Sequence, residues 1–493
     1  MDHKNNHIEP GVDLGDRPDI PLIVACFPLI FLVVALSLNV FIFGDDAVGG
    51  SNQVLLMASA AVASILAVFF HTSWQDIEEG ICNSLKIAIP AMLILLMVGA
   101  LSGAWLLSGV IPTMIFYGLQ LLDASWFLIS AVIISAIVAL FTGSSWTTSA
   151  TIGIALMGIG KVLGISPGLV AGAIISGAYF GDKMSPLSDT TNLAAAATGT
   201  ELFTHIRYMM LTTIPSITLA LLVFAVLGTG VTEPVGLESD AIAVTLQEHI
   251  NITPWLLLVP VLVLVMILKK VPALPSLFAG VFAGLVFAML FQPELIRTIG
   301  RESSGGDEFA FYRGIMQACF GDIAIQTGNS VLDELLTSGG ISGMLGTIWL
   351  IISAMMFGGA MEASGFLQRI TQVLISKARS IFGLVATTAG TCVFTNATTS
   401  DQYLSLVIPG RMFTASYRER GLASQNLSRT LEDTGTVTSV LIPWNTCGAY
   451  HATVLGVATL SYAPFAFFCL ISPFMTLLVA ATGYRLVKLP QTN

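Results

Sequence analysis

The chain has 493 residues, 55% hydrophobic and only 10% charged, with a formal net charge of -10 and a mean hydropathy of +0.84. Soluble domains carry about 25% charged residues, so the composition excludes that class and defines a polytopic membrane protein in contact with the lipid bilayer. The acidic balance says little about partners, because most carboxylates fall in loops on one side; basic aromatic patches are absent, which excludes a nucleic-acid binder.

The N-terminal stretch 1–20 is polar and acidic and lacks the pattern of a cleavable signal, so it is expected to be a cytoplasmic tail. Apolar segments of spanning length then follow at 21–43, 53–70, 87–110, 124–143, 165–181, 209–229, 254–268, 272–292, 341–361, 381–395, 437–457 and 464–484. Two of them continue into Ser/Thr-rich runs, Thr142 to Thr151 and Phe394 to Gln402, and then into apolar pieces too short to span. Non-helical backbone at membrane depth is tolerated only against protein or water. The stretches 124–160 and 381–410 are therefore expected to be re-entrant hairpins. The fold class expected is an all-α polytopic membrane protein with about 10 full spans plus 2 hairpins.

Lysine and arginine set the orientation. The loop 230–253 holds Glu233, Glu238, Asp240 and Glu248 but no basic residue, and is placed outside. Lys86, Arg207, Lys269, Lys270, Arg369, Lys377, Arg379, Arg411, Arg418, Arg420, Arg485 and Lys488 then fall inside, with both termini; Asp45, Asp46 and Asp123 fall outside. Arg207, Arg369 and Arg411 read as anchors, Glu362 as interfacial, and His205 and His451 as packed or interfacial. The alternation works only if both hairpins are re-entrant.

An internal repeat emerges. Phe141 to Ser149 resembles Phe394 to Asp401; Gly181-Asp182 is answered by Leu431-Glu432-Asp433; and Ser108-Gly-Val-Ile111 echoes Ser364-Gly-Phe-Leu367. An odd number of crossings between the hairpins gives two inverted repeats with broken helices. The organisation expected is a tail 1–20, an extra helix 21–43, repeat one 53–229, a loop and connecting helix 230–271, repeat two 272–485 and a cytoplasmic tail 486–493. The stretch 293–340 contains an amphipathic piece, Phe311 to Leu336, read as a surface arm, an interfacial helix or a lid.

The costliest residues lie in the run Gly177 to Asn192, with two carboxylates, a lysine and a helix-breaking Pro186 in apolar surroundings. A charge at bilayer depth costs roughly 2.5–3.5 kcal/mol even on lenient scales, so such a run lines a cavity or binds something. A small hard cation must exchange hydration water for oxygen ligands. The first half offers Asp182, Asp189, Ser185, Ser188, Thr190, Asn192, Ser144, Ser145 and Thr147. The second offers Asn396, Thr398, Thr399, Asp401, Glu432, Asp433, Thr434, Thr436 and Asn445. Pro186, having no N–H, is expected to bare carbonyls beside the aspartates. Asp189 follows the break among hydroxyls and is the foremost candidate. Asp182 has a competing role as an ion-pair partner of Lys183, which is itself open to reading as an inside-facing anchor. Glu432 and Asp433 are adjacent and point to different helix faces, so one is expected to be structural.

Cys26, Cys82, Cys319, Cys392, Cys447 and Cys469 show no metal spacing and read as small core hydrophobes. Gly164-Ile-Ser-Pro-Gly168 matches GxSxG without its strand–turn–helix context, HExxH is absent, and the run before Asp182 lacks the first glycine of an intramembrane aspartyl protease motif. Neither enzymatic activity nor a cofactor is expected.

At Gly177 to Leu193 the sequence resembles the NhaC family of Na+/H+ antiporters, within the ion transporter superfamily. Weaker likenesses at Phe141 to Thr148, Thr327 to Leu336 and Glu432 to Asn445 extend the resemblance from about residue 50 to about residue 460. The resemblance implies an inner-membrane exchanger of Na+ for H+, two inverted repeats, a homodimer and an elevator-like movement. It carries over Asp182, Ser185, Ser188, Asp189 and Thr190 as functional candidates, with sodium at Asp189, Asp182, Ser188 and Thr190. Some members of the family exchange small carboxylates such as malate and lactate with these ions, and that pairing is the alternative.

Overall fold

A computed structural model describes residues 20–43, 49–229, 235–302, 308–378 and 380–489. The expected N-terminal tail up to residue 19, and Asp45, Asp46, Glu233 and Arg379, lie outside them. In chain order the helices begin with α1 (Leu22–Phe43), α2 (Ser51–Phe69), α3 (Trp74–Leu107), α4 (Val110–Leu121), α5 (Phe127–Thr142) and α6 (Ser145–Thr148). A π-helical turn at Ser149–Gly153 leads into α7 (Ile154–Val162), α8 (Pro167–Met184), α9 (Asp189–Thr198) and α10 (Leu202–Gly228). The middle of the chain holds α11 (Val235–His249), α12 (Leu258–Leu268), α13 (Ala273–Phe291), α14 (Pro293–Glu302), α15 (Ala310–Phe320) and α16 (Ser330–Leu335). Then come α17 (Leu345–Ala363), α18 (Phe366–Lys377), α19 (Ile381–Thr399), α20 (Gln402–Glu419) and α21 (Ser424–Leu431). A second π turn, Glu432–Thr436, joins α22 (Val437–Ser439), followed by α23 (Thr446–Leu455), α24 (Thr459–Tyr462) and α25 (Phe467–Thr482). Among the described residues eight helices are long and apolar enough to cross a membrane, or ten if two bent pairs count as one span each.

Three expectations change. The span expected at 437–457 is not one helix: it is interrupted between Ser439 and Thr446, where Pro443 has no N–H to offer. The span expected at 87–110 belongs to the longer α3, which starts at Trp74 because the Ser73 side chain caps it by accepting from the Asp76 N–H (3.1 Å). The piece Phe311 to Leu336 is not one amphipathic helix. It comprises α15, the short α16 and a two-residue antiparallel ladder pairing Ile323 with Ser338 and Ala324 with Thr337; an isolated antiparallel bridge between Leu422 and Lys488 is the other β pairing among the described residues. The stretch folds back on α3: a Cβ on Gly103 would lie 1.7 Å from the Ala318 carbonyl.

At the centre, α3 and α17 cross antiparallel at small residues, the sequence device that lets helices approach in a membrane. Gly80 meets Ala363 and Gly359 meets Ile81, while Gly99 meets Gly340 and Met344. The flanking helices exchange partners. Trp105 of α3 donates to the Gly280 carbonyl of α13 (3.1 Å), and Gln53 of α2 to the Gly346 carbonyl of α17 (3.4 Å). Both central helices end alike. Ser108 and Ser364 bond back to the carbonyls of Trp105 and Met361, and Gly109 and Gly365 follow in the left-handed region.

Between α5 and α23, five pairs of helix ends, caps and left-handed residues stand 257 residues apart. Gly143 and Ser400 are left-handed and end α5 and α19; Ser144 and Asp401 cap the helices that follow. Gly164 and Gly421 are left-handed before α8 and α21. Ser188 and Asn445 cap α9 and α23, which end at left-handed Gly199 and Gly456. This register pairs Asp182 with Ser439, not with Glu432 or Asp433 as the sequence similarity suggested.

Candidate functional site

The site forms where helix tips meet helix breaks. A Cβ on Gly177 would sit 2.1 Å from the Val132 carbonyl and one on Gly181 2.2 Å from that of Ala136, so bare glycines let α8 lie directly on α5. Both contacts advance together along the two helices, which therefore run parallel. The tip after α5 consequently reaches the break after α8. Gly143 packs on Leu187, and Ser145 donates its backbone N–H (3.0 Å) and its hydroxyl (2.7 Å) to Oδ2 of Asp182. In the other half the Thr446 N–H donates to the Ser400 carbonyl (2.8 Å), and Trp444 to that of Ala397 (2.8 Å). The two assemblies touch: Trp146 stacks on Tyr450 at 4.0 Å, and the Tyr450 hydroxyl donates to the Trp146 carbonyl (2.9 Å).

Between them lies a cavity of about 570 Å³, lined by both tips and both breaks. Three carboxylates face it: Asp182, Asp189 and Asp401. Asp182 is 6% exposed and Asp401 2%, while Asp189 stands open to solvent on the first turn of α9. Asp401 also caps α20, its Oδ1 accepting from the N–H groups of Tyr403 (2.8 Å) and Leu404 (3.0 Å). Ser144, Thr147 and Thr190 share the wall, and Thr142, Trp146, Lys270, Gln402, Tyr403 and Thr446 complete its polar lining. These last six were not proposed as site residues from the sequence. Thr446 stands 257 residues after Asp189, the spacing that the helix caps share; Lys270 reaches the wall from the turn between α12 and α13, across the fold.

Other expected ligands stand elsewhere. The Asn192 amide donates to the carbonyls of Pro186 (3.0 Å) and Ser188 (2.7 Å), and Thr191 to that of Lys183 (3.0 Å). The carbonyls of Lys183, Pro186 and Ser188 around the break thus have partners. Ser185 and Ser188 accept N–H groups within the break, and the Ser188 hydroxyl also reaches Asp182 and, at 3.1 Å, Thr190. Thr398 and Thr399 bond back into α19, as Thr434 bonds back to Thr430 (2.5 Å). Asn396 donates to the Gly435 carbonyl (2.6 Å) and Asn445 to Asn396, so the two amides tie tip to break without lining the cavity.

Lys183 pairs with Asp433 rather than with Asp182, and both are fully buried. Asp433 also takes bonds from Ser472 (3.3 Å) and Thr476 (2.5 Å), and Arg429 lies 3.8 Å away with its guanidinium over the Tyr208 ring. Of the adjacent acids, Asp433 is the one tied into a fixed network. Glu432 is fully buried in the π turn with neither carboxylate oxygen hydrogen-bonded. His205 and His451 are buried likewise. Among the described residues no three His, Cys, Asp or Glu side chains cluster closely enough to hold a metal ion by themselves. A cation in this cavity would therefore need hydroxyl and carbonyl oxygens beside the aspartates.

Two broken helices and two polar tips enclosing one carboxylate-lined cavity inside an apolar bundle make the anatomy of an ion-coupled secondary transporter. Comparison with known proteins agrees. The chain belongs to the Na+/H+ antiporter family, whose model matches residues 177–484. It is 38% identical over 436 residues to the Na(+)/H(+) antiporter NhaC of Alkalihalophilus pseudofirmus, covering 88% of this chain and 91% of that protein. It is 36% identical over 467 residues to the arginine/ornithine antiporter ArcD of Halobacterium salinarum, covering 94% of this chain and 92% of the other. It is also 34% identical over 456 residues to the malate-2H(+)/Na(+)-lactate antiporter of Bacillus subtilis, covering 92% and 93%.

Proposed function

We propose that this chain is a sodium:proton antiporter of the bacterial inner membrane. The observation that carries the reading is the single cavity shared by Asp182, Asp189 and Asp401, each on a helix tip or break. Sodium binds there among carboxylate and hydroxyl oxygens, with Asp182 oriented by Ser145. Two buried carboxylates near one site favour either a cation or a proton in their midst, and that competition gives exchange.

The matched caps in the two halves and the antiparallel crossing of α3 and α17 support two inverted repeats. On this reading 53–229 and 272–485 are the repeats, 21–43 is an additional helix and 230–271 the connection. The tips at 143–145 and 400–402 belong to re-entrant hairpins, both termini are cytoplasmic, and a homodimer holds the moving parts in the bilayer. Reconstituted protein should acidify or alkalinise vesicles in response to a Na+ gradient. Asp189→Asn should abolish that response while the protein remains in the membrane; a wild-type response in this variant would sink the assignment of the site.

One observation favours a second reading, coupled exchange of a small organic acid. The cavity is large for a bare ion, and Lys270 on its wall offers a carboxylate a counter-charge. Counterflow of labelled malate or lactate against a Na+ gradient, lost in Lys270→Met, decides for it.

A further inference from the structure

Two cavities of this fold are built on one plan. The ion cavity takes Ile87, Pro90, Ala91 and Ile94 from α3. A second cavity, of about 680 Å³, takes Gly343, Gly346, Thr347 and Leu350 from α17 and the turn before it. Each of these stands 256 residues after its counterpart, the spacing that also separates Ser108 from Ser364 and Gly109 from Gly365. The turn between α12 and α13 bounds the first cavity, and α1 with the start of α2 bounds the second. Because α3 and α17 run antiparallel, equal stretches of them serve cavities that reach toward opposite faces of the membrane. Among the described residues no charged side chain lines the second one.

The two breaks differ at equivalent positions. Leu187 and Asp189 of the first break both line the ion cavity. Their counterparts, 257 residues on, are Trp444 and Thr446. Thr446 lines the ion cavity, whereas Trp444 lines the second one. The short segment from Trp444 to Thr446 is therefore the wall between the two cavities. It hangs on the second tip, because the Trp444 indole donates to the Ala397 carbonyl (2.8 Å) and the Thr446 N–H to that of Ser400 (2.8 Å). Behind it α23 is held to α17, where the Thr347 and Thr453 hydroxyls share a hydrogen bond at 2.5 Å on the lining of the second cavity. Leu187, the counterpart of Trp444, is 38% exposed.

We infer that Trp444 is a gate, closing the ion cavity toward the second cavity, which is the vestibule between the ion and the opposite membrane face. Which ion passes rests on the antiporter reading. With the lysine- and arginine-rich ends in the cytoplasm, the ion cavity opens inward and the vestibule lies outward. A hydrated ion does not cross an apolar constriction until it widens, and the indole is the bulky group at this one. Its single hydrogen bond to the tip is the contact that opening must break. When the two halves exchange roles, Leu187 takes the place of the wall as Trp444 gives it up. Both standing open at once would make a channel and dissipate the gradient.

The test uses one reporter thiol in each cavity, Thr347→Cys in the vestibule and Ala91→Cys in the ion cavity. Right-side-out and inside-out vesicles are treated with a membrane-impermeant thiol reagent, and mass spectrometry of the peptide concerned separates the new thiol from the six native cysteines. With Trp444 in place, Thr347→Cys should label from the outer side and Ala91→Cys from the cytoplasmic side. Adding Trp444→Ala should raise labelling of Ala91→Cys from the outer side by about fivefold or more, the lower end of typical coupling between sites. Unchanged outer labelling of Ala91→Cys overturns the gate, and labelling of Thr347→Cys from the cytoplasmic side alone overturns the vestibule. If Trp444→Ala fails to reach the membrane, Trp444→Leu, which installs the side chain of the other half, is read by the same criteria. Absence of Na+-driven ΔpH in the wild type would instead remove the antiporter reading, whereas the labelling reports the gate whatever ion travels.

Discussion

Lys183 and Asp433, 250 residues apart in sequence, form a fully buried ion pair between α8 and the π turn that follows α21. The pair fastens the broken helix of one half to its counterpart in the other. Removing one partner of a buried pair leaves the other uncompensated, at a cost of about 3–5 kcal/mol, whereas replacing both is far milder. Lys183→Met alone should therefore lower the melting temperature of detergent-solubilised protein, with Arg429 at 3.8 Å leaving Asp433 a partial counter-charge, and Lys183→Met with Asp433→Asn should recover part of the loss. Equal losses in the single and double variants would show that the pair does not hold the halves together.

Ser145 supplies Asp182 with two donors, and only one of them is a side chain. Ser145→Ala keeps the backbone N–H and removes the hydroxyl. Hydrogen bonds to charged groups contribute about 1.5–3 kcal/mol, so the apparent KM for Na+ should rise by about tenfold or more. Thermal stability should change little. Initial rates over a range of Na+ concentrations check this.

Asp401 has two duties that substitution can separate. Asn retains an oxygen that accepts from the Tyr403 and Leu404 N–H groups, so Asp401→Asn should fold normally and lose Na+ affinity. Asp401→Ala also removes the cap, which costs about 1 kcal/mol. The prediction is weak Na+ binding in both variants and a lower melting temperature only in the second, read by calorimetry and transport on the same preparations.

Gly181 shows what the α5–α8 contact requires. Its missing Cβ would fall 2.2 Å from the Ala136 carbonyl and 2.6 Å from the Leu140 backbone nitrogen, and neither backbone can move without parting the helices. Gly181→Ala should displace the tip from the break and abolish transport, with stability reduced by about 1–3 kcal/mol as in other overpacked cores. Gly390 has nothing within 4 Å of its Cβ position, so Gly390→Ala, also in a helix, serves as the control and should behave as wild type.

A pH-dependent contribution comes from outside the membrane-spanning helices. Asp333 accepts from the Thr327 N–H (2.6 Å) and hydroxyl (2.8 Å), and these bonds hold its carboxyl below the usual aspartate range. A lowered folded-state value gives stabilisation that is present above the ordinary aspartate pKa and lost as pH falls through the folded one. Hydrogen exchange of the 323–338 segment should therefore accelerate on acidification below about pH 4, and Asp333→Asn should weaken that dependence.

The sequence by itself determined the membrane class, the polar run at 177–192 and the presence of a second, matching tip, because uncompensated polar groups in an apolar chain are too costly to be accidental. It also narrowed the carboxylates to a short set that includes Asp182, Asp189 and Asp401. Only the tertiary structure decided which of them meet. Asp401 joins Asp182 and Asp189 because parallel packing of α5 on α8 and the stacking of Trp146 on Tyr450 bring both tips to one cavity, a relation between residues more than 200 positions apart. The same packing turned Asp433 to Lys183 and left Glu432 without a partner, although the two acids are neighbours in the chain. Local similarity had set Glu432 and Asp433 opposite Asp182. The backbone register sets Ser439 there instead, because left-handed residues and helix caps fix the repeat more strictly than side-chain chemistry does.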